Sequence, residues 1–303
     1  MSPLALAVDI GGTKIAAGLV AADGTLTDRR RTATPAGAGG PAIMAAAVEL
    51  ARPLAARAAA CGIGTAGVVD PAGRIASATS LLTGWAGTDV KGTAERALDL
   101  PALVLNDCHA AGAAEARVGA ARGARTALVV AVGTGIGAAW CEDGRVRTGR
   151  SGTCGSLGHL PAPTSAGLPC SCGALDHIEA HASGPAIERA YRAASGRNLP
   201  LAAIGRLAAD GEEPAVQAIA RAAALLGRVL AGAANLIDPD AVVVAGGVAL
   251  LGPVLLEPMG AAYRAEALPA PGAVPIVPAV LGEDAALVGA GLQALSTLTN
   301  GAS

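Results

Sequence analysis

The stretch Leu4–Gly18, LALAVDIGGTKIAAG, has a counterpart in Thr126–Trp140, TALVVAVGTGIGAAW. Each reads as an apolar strand, a glycine turn carrying Thr, and a second apolar strand, which is a hairpin. The spacing of Gly11 and Gly12, and of Gly133, Gly135 and Gly137, fits neither the Walker pattern nor G-x-G-x-x-G. Two hairpins of one design, about 120 residues apart, predict two related lobes.

Working outward, Pro41 to Ala60 reads as a helix and Gly62 to Val69 as a buried strand closed by the turn Asp70–Gly73. Leu103 to Leu105 is a further strand, from which Asn106-Asp107 opens an Ala-rich helix to about Val118. Pro214 to Leu236 places Val216, Ile219, Ala223, Leu226 and Leu230 at helical spacing. The strand Ala241 to Ala245 ends at Gly246-Gly247, and a last helix runs from Asp284 to Thr299. Strands alternating with helices predict α/β architecture. Arg29-Arg30-Arg31 reads as a solvated strand edge.

The 303 residues carry a net charge of -2, are 15% charged, and include no Phe and only two Trp and two Tyr. That balance excludes a polybasic nucleic-acid or membrane surface, and the missing aromatics exclude a base-stacking platform. Mean hydropathy is +0.49, yet the runs 127–140 and 241–256 fall short of the ~20 residues of a membrane span. The start, MSPLALAVD, lacks a basic n-region. Six cysteines make no disulfide framework, so a reduced, cytoplasmic protein is expected.

Glycine turns after strands let backbone N–H groups approach phosphate oxygens, and a Lys or hydroxyl nearby adds charge or a donor. Gly11, Gly12, Thr13 and Lys14, then Gly133, Thr134 and Gly135, are therefore candidate phosphate turns, with Gly246-Gly247 as a third glycine pair. Asp9 in an apolar strand calls for a cation, and Mg²⁺ on a nucleotide suits it; capping of the turn backbone is the plainer explanation. Asn106-Asp107 fits helix capping, and equally a general base at the carboxyl end of a sheet. Between Gly158 and Ala180, His159, Cys170, Cys172 and His177 offer two imidazoles and two thiolates, a closed tetrahedral set for structural Zn²⁺. His109 and His181 have no such company and read as ordinary helix residues.

DIGGTK, LNDCHAAGAAEA, VGTGIG, SLGH, CSCGALDHIEAHASG, NLIDPDAVVVAGG and EDAALVGAG occur in that order. Together they resemble the ROK family (repressor, open reading frame, kinase) of sugar kinases over nearly the whole chain. The resemblance implies an α/β, two-lobed actin-like ATPase fold with a ribonuclease H-like core in each lobe. The first lobe is expected over 1–117, completed by about 284–303, and the second over 118–283 with the zinc segment 158–180. The implied activity is ATP- and Mg²⁺-dependent phosphorylation of a hexose hydroxyl, usually at carbon 6. In that pattern Asp107 is the general base, and Asn106, Gly67, Ser156, His159 and Glu179 bind or border the sugar. Asp9, Gly11–Lys14 and Gly133–Gly135 serve the phosphates, and Gly246-Gly247 lies near adenosine. A homodimer acting on a small-molecule sugar is implied, with no nucleic acid or membrane partner. ROK regulators carry a helix-turn-helix ahead of the sugar-binding part, whereas here the hairpin starts at Leu4.

Three positions depart from the pattern. Asp176-His177 replaces the Gly-Cys of the zinc motif, Ser156 replaces the Glu of E-x-G-H, and Leu81 stands where glucokinases often have Asn. Losing two polar sugar contacts points away from plain glucose and toward an amino or modified hexose, N-acylmannosamine first. Glucose is the alternative, followed by kanosamine or another secondary-metabolite sugar, or a non-catalytic sugar sensor.

Overall fold

The structure is a computed structural model that describes residues 3–79 and 81–300; both ends of the expected first lobe, at 1–2 and 301–303, lie outside the described residues. In chain order, the first part comprises β1 (Ala5–Ile10), β2 (Lys14–Val20), β3 (Leu26–Ala33), α1 (Gly40–Ala55), β4 (Ala60–Thr65), the short β5 (Val68–Val69) and β6 (Ile75–Ser77), α2 (Val90–Leu98), β7 (Ala102–Asn106) and α3 (Asp107–Val118). The second comprises β8 (Thr126–Val132), β9 (Ile136–Glu142), β10 (Arg145–Arg147), α4 (Ile178–Ala182), α5 (Gly184–Ser195), α6 (Leu201–Ala209) and α7 (Glu213–Ile237). It continues through β11 (Ala241–Ala245), α8 (Pro253–Glu266), α9 (Pro269–Gly272), β12 (Ile276–Pro278) and α10 (Ala285–Asn300).

The two principal sheets repeat one topology. The first has the order β3-β2-β1-β4-β7 and the second β10-β9-β8-β11-β12. In the first, β1, β2 and β3 form an antiparallel meander and β4 and β7 add in parallel. The second follows suit, with β10 antiparallel to β9, and β8, β11 and β12 parallel. The duplication expected from the two hairpins is therefore present strand for strand. Arg29, Arg30 and Arg31 lie on β3, the edge of its sheet, where charge keeps an unpaired rim solvated.

The chain divides into two compact units, one holding the residues up to Gly123, Ala139–Cys154 and those from Val280 onward, the other Ala124–Ala138 and Gly155–Ala279. In the first unit α10 lies against β4 and α3 so closely that no side chain fits between. A Cβ on Gly62 would stand 2.0 Å from the Ala290 carbonyl oxygen, and one on Gly289 would stand 1.7 Å from that of Ala110. Glu115 of α3, fully buried, accepts N–H groups from Ala120, Val280 and Leu281 at 2.8, 3.1 and 2.9 Å. It thereby ties down the chain where it leaves this unit and where it returns.

The second unit is organised around α7, which packs on α8 with Gly227 against the Met259 carbonyl. Its buried face is broader and richer in alanine than the periodicity suggested: Ala215, Ala218 and Ala222 are buried, whereas Val216 is 37% exposed. Alanine contributes little contrast to a hydropathy pattern, which is why the stronger residue Val216 misplaces the edge of the face. Among the described residues α7 is also the one helix long and apolar enough to cross a membrane, and half of its apolar window is buried inside the unit.

Two mid-helix glycines separate packing from propensity. Gly289→Ala puts a methyl into the Ala110 carbonyl and should lower unfolding free energy by about 2–3 kcal/mol. Gly232→Ala on α7, with open space around it, should raise it by roughly 0.5–1 kcal/mol. Denaturant unfolding of the two variants beside the parent measures both.

Candidate active site

In the first sheet the register aligns Ile10, Thr65 and Asn106 across β1, β4 and β7. The residues that follow each strand therefore leave from one edge: Gly11-Gly12 after β1, Ala66-Gly67 after β4, and Asp107 after β7. Asn106 caps α3, its Oδ1 accepting the N–H groups of Cys108 and His109, while its Nδ2 donates to the Gly67 carbonyl at 3.0 Å. The capping role and a site role thus coexist in this residue: the same side chain starts the helix and holds the neighbouring loop. Gly67 has φ 101°, and a Cβ there would meet the Ser77 carbonyl oxygen at 2.8 Å, so only glycine fits.

Asp107 occupies the first turn of α3. Burial raises its pKa, opposed by the Cys108 N–H at 2.9 Å. Asp9 sits one row back on β1, its Oδ1 beside Gly64. Burial and then the neighbouring Asp107 charge push Asp9 up to about 7, with Lys14 pulling it down. A buried carboxylate destabilised by another carboxylate is a hard-oxygen donor, and that donor chemistry fits Mg²⁺.

The first turn closes through Gly11 N–H to the Lys14 carbonyl at 3.0 Å, and Thr34 Oγ1 donates to the Gly11 carbonyl at 2.7 Å. Thr13 is exposed at its tip. Lys14 Nζ is bonded to Glu283 Oε2 at 2.8 Å, in a cluster that includes Arg31 on Glu283 and Arg29 on Asp284. Nothing local marks Glu283 as a partner, since 269 residues separate it from Lys14. Leu81, 52% exposed, lies on Gly12: a Cβ there would be 2.7 Å from its Cδ2. Trp85 presents no face to a ligand. It is wholly buried, and its indole N–H donates to the Ala66 carbonyl at 3.1 Å.

In the second unit β8 and β11 end side by side, Ala131 opposite Ala245. Gly133 N–H donates to the Gly135 carbonyl at 2.8 Å, leaving Thr134 and Gly135 exposed. The Gly133 carbonyl in turn accepts the N–H of Gly184 at the start of α5. Gly246, at φ 88°, sits so near β8 that a Cβ would be 2.4 Å from the Val132 carbonyl oxygen, and Gly247 beside it is open. The second glycine turn and the Gly246-Gly247 pair are thus neighbours on one sheet edge.

The ligand atoms of His159, Cys170, Cys172 and His177 all lie within 4.8 Å of one another. Cys170 Sγ is 3.4 Å from His159 Nδ1, and Cys172 Sγ is 3.2 Å from His177 Nδ1. Tetrahedral zinc with bonds of about 2.0–2.3 Å needs spacings of that order, so the quartet fits the metal. Asp176, one of the departures, has φ 54°, the left-handed region that explains why glycine is the ordinary choice. Its carboxylate accepts the N–H groups of Gly167 and Leu168 and contacts His181 Nε2 at 3.0 Å, which gives His181 a partner that the sequence did not suggest. Glu179 Oε2 accepts the Ile136 N–H at 3.0 Å. Ser156 is exposed at the start of the single turn Leu157–His159.

The ROK family model matches residues 5–296. The chain belongs to the ROK family. An N-acetylmannosamine kinase of Escherichia coli is 36% identical over 291 residues, covering 95% of this chain and 97% of that protein. The ROK hexokinase of Thermus thermophilus superposes with a TM-score of 0.87 at 34% identity, covering 98% of this chain and 99% of the other. A ROK glucokinase from Streptomyces griseus, in complex with glucose and AMPPNP, gives 0.82 at 32%, covering 97% and 99%. The α/β fold of this ROK chain is that of these sugar kinases.

Two measurements test the site. Folding favours protonated Asp9, a stabilisation present below about pH 4 and lost as the pH rises through about 7. Asp9→Asn should therefore raise the thermal midpoint by about 3 °C at pH 8 and leave it nearly unchanged at pH 4, read by calorimetry. Elemental analysis should find one zinc per chain in the parent, with Cys172→Ser losing it to EDTA faster.

Proposed function

We propose that this ROK protein is an ATP-dependent kinase that phosphorylates the 6-hydroxyl of an N-acylmannosamine. The observation that carries the reading is Asp107, a buried carboxylate of raised pKa in the first turn of a helix, with Asn106 and Gly67 tied beside it. A base poised upward accepts a hydroxyl proton more readily than an ordinary aspartate.

In this reading Asn106, Gly67, His159, Glu179 and Ser156 hold or border the sugar, and Asp107 orients its hydroxyl. The hydroxyl oxygen bonds to the γ-phosphorus as the bond from that phosphorus to the β–γ bridging oxygen breaks. Asp107 takes the hydroxyl proton late, because the transition state needs positioning and charge stabilisation more than a strong nucleophile. Backbone N–H groups of Gly12, Thr13, Thr134 and Gly135, on turns closed by the Gly11 and Gly133 N–H groups and with the Thr134 hydroxyl and Lys14 beside them, meet the phosphate oxygens, and Gly246-Gly247 borders the adenosine. Asp9 would hold Mg²⁺, which would supply charge neutralisation on the phosphates. His159, Cys170, Cys172 and His177 would hold zinc as a closed four-ligand set, clamping the sugar-facing segment structurally. Assembly as a homodimer belongs to the same reading.

The sugar is argued from three features: the Escherichia coli relatives named N-acetylmannosamine kinase, Ser156 in place of a glutamate, and Leu81. A half-exposed leucine beside Gly12 offers an apolar contact where glucose would need a hydrogen-bond donor. Glucose is the second reading, on the strength of the Streptomyces griseus glucokinase.

ADP release over glucose, mannose, N-acetylglucosamine and N-acetylmannosamine should give the highest kcat/KM with N-acetylmannosamine; glucose ahead of both amino sugars would select the second reading. Asp107→Ala should reduce kcat by about 10³-fold while calorimetric sugar affinity stays within a few-fold.

A further inference from the structure

Ser171 lies between the two cysteines of the zinc quartet and outside every role assigned so far. Its hydroxyl donates to Glu179 Oε1 at 2.5 Å. The other oxygen of that carboxylate accepts the Ile136 N–H at 3.0 Å. A Cβ on Gly135 would be only 2.7 Å from Oε2, so the carboxylate is seated against the glycine turn itself. One side chain therefore bridges the loop carrying Cys170 and Cys172 to the peptide that ends the Gly133–Gly135 turn.

We infer that Ser171 is a positioning residue for nucleotide binding: through Glu179 it fixes the conformation of the second glycine turn from the zinc loop. A half-buried carboxylate in the first turn of α4 has several rotamers of similar energy. Ser171 makes the short bond to the other oxygen, with Cys170 Sγ farther off at 3.8 Å, and together with the Ile136 N–H it stops the carboxylate from rotating. The turn is exposed at Thr134 and Gly135 and has few other anchors, namely its own Gly133 to Gly135 bond and the Gly184 N–H. Phosphate recognition by backbone N–H groups depends on their direction, so losing the Ser171 bond loosens phosphate binding along with any sugar contact Glu179 makes. The inference rests on the assignment of Gly133–Gly135 to phosphate.

The test is calorimetric titration of the zinc-loaded protein with Mg²⁺-AMPPNP and, separately, with N-acetylmannosamine, for the parent, Ser171→Ala and Ser171→Thr. Zinc content is measured on each. Ser171→Ala should keep its zinc and weaken AMPPNP about fivefold, the size of one ordinary net hydrogen bond. Ser171→Thr, which keeps the hydroxyl, should restore nucleotide affinity. Unchanged AMPPNP affinity in Ser171→Ala, or equal losses of sugar and nucleotide accompanied by lost zinc, would overturn the inference alone. No AMPPNP binding by the parent would overturn it together with the kinase reading.

Discussion

The placement of the acidic residues depends on a contact with no side chain in it. Gly62 of β4 and Gly289 of α10 let the backbone of the last helix touch the sheet and α3 directly. Because α10 packs against β1 and β4 as well as α3, the depth at which it sits sets how much water reaches Asp9 and Asp107. Both carboxylates owe their raised pKa first to burial, and a helix held even one methyl further out would rehydrate them. Glu115 completes the constraint. Its buried carboxylate is satisfied by three N–H groups, two of them on the segment that brings the chain back to begin α10. A buried charge is tolerable only when so bonded, which makes the return path as specific as the helix packing.

The duplicated sheets have the same strand order and different chemistry. In the sequence alignment of the hairpins, Asp9 of β1 corresponds to Ala131 of β8, and Gly11 to Gly133. After the fifth strand the first copy continues into Asn106-Asp107 and the second into Pro278-Ala279. The carboxylates were thus kept in one copy, while both kept the glycines that expose backbone N–H groups. That division follows electrostatics. Asp107 already raises the pKa of Asp9 within the first unit, and a carboxylate pair beside the second glycine turn would repel any anion brought to its N–H groups.

The glycine turns, the Asn-Asp junction and the histidine–cysteine quartet were legible because each compresses its signal into a few adjacent residues. The strand order was legible only as a repeat, and α4, α5 and α6 between 178 and 209 left little trace. Their alanine-rich faces give hydropathy little to distinguish inside from outside, as Val216 shows on α7. Partnerships between distant residues were also out of reach. Lys14 reads as a free phosphate ligand until β3 and the start of α10 bring Arg29, Arg31, Glu283 and Asp284 to it.

The zinc segment shows how a departure from a family pattern is absorbed. Asp176 adopts a left-handed conformation that costs an ordinary residue about 1–2 kcal/mol. Aspartate is among the few side chains that offset it locally, and here it does so by accepting the N–H groups of Gly167 and Leu168, which hold its pKa down. The turn therefore keeps the path glycine would give it and gains an anchor for His181 as well. With the backbone preserved, the residue after it still points at Cys172, and an imidazole at position 177 reaches the thiol as a cysteine would. The two departures are physically one: the aspartate keeps the loop in the shape that lets an imidazole meet the Cys172 thiol.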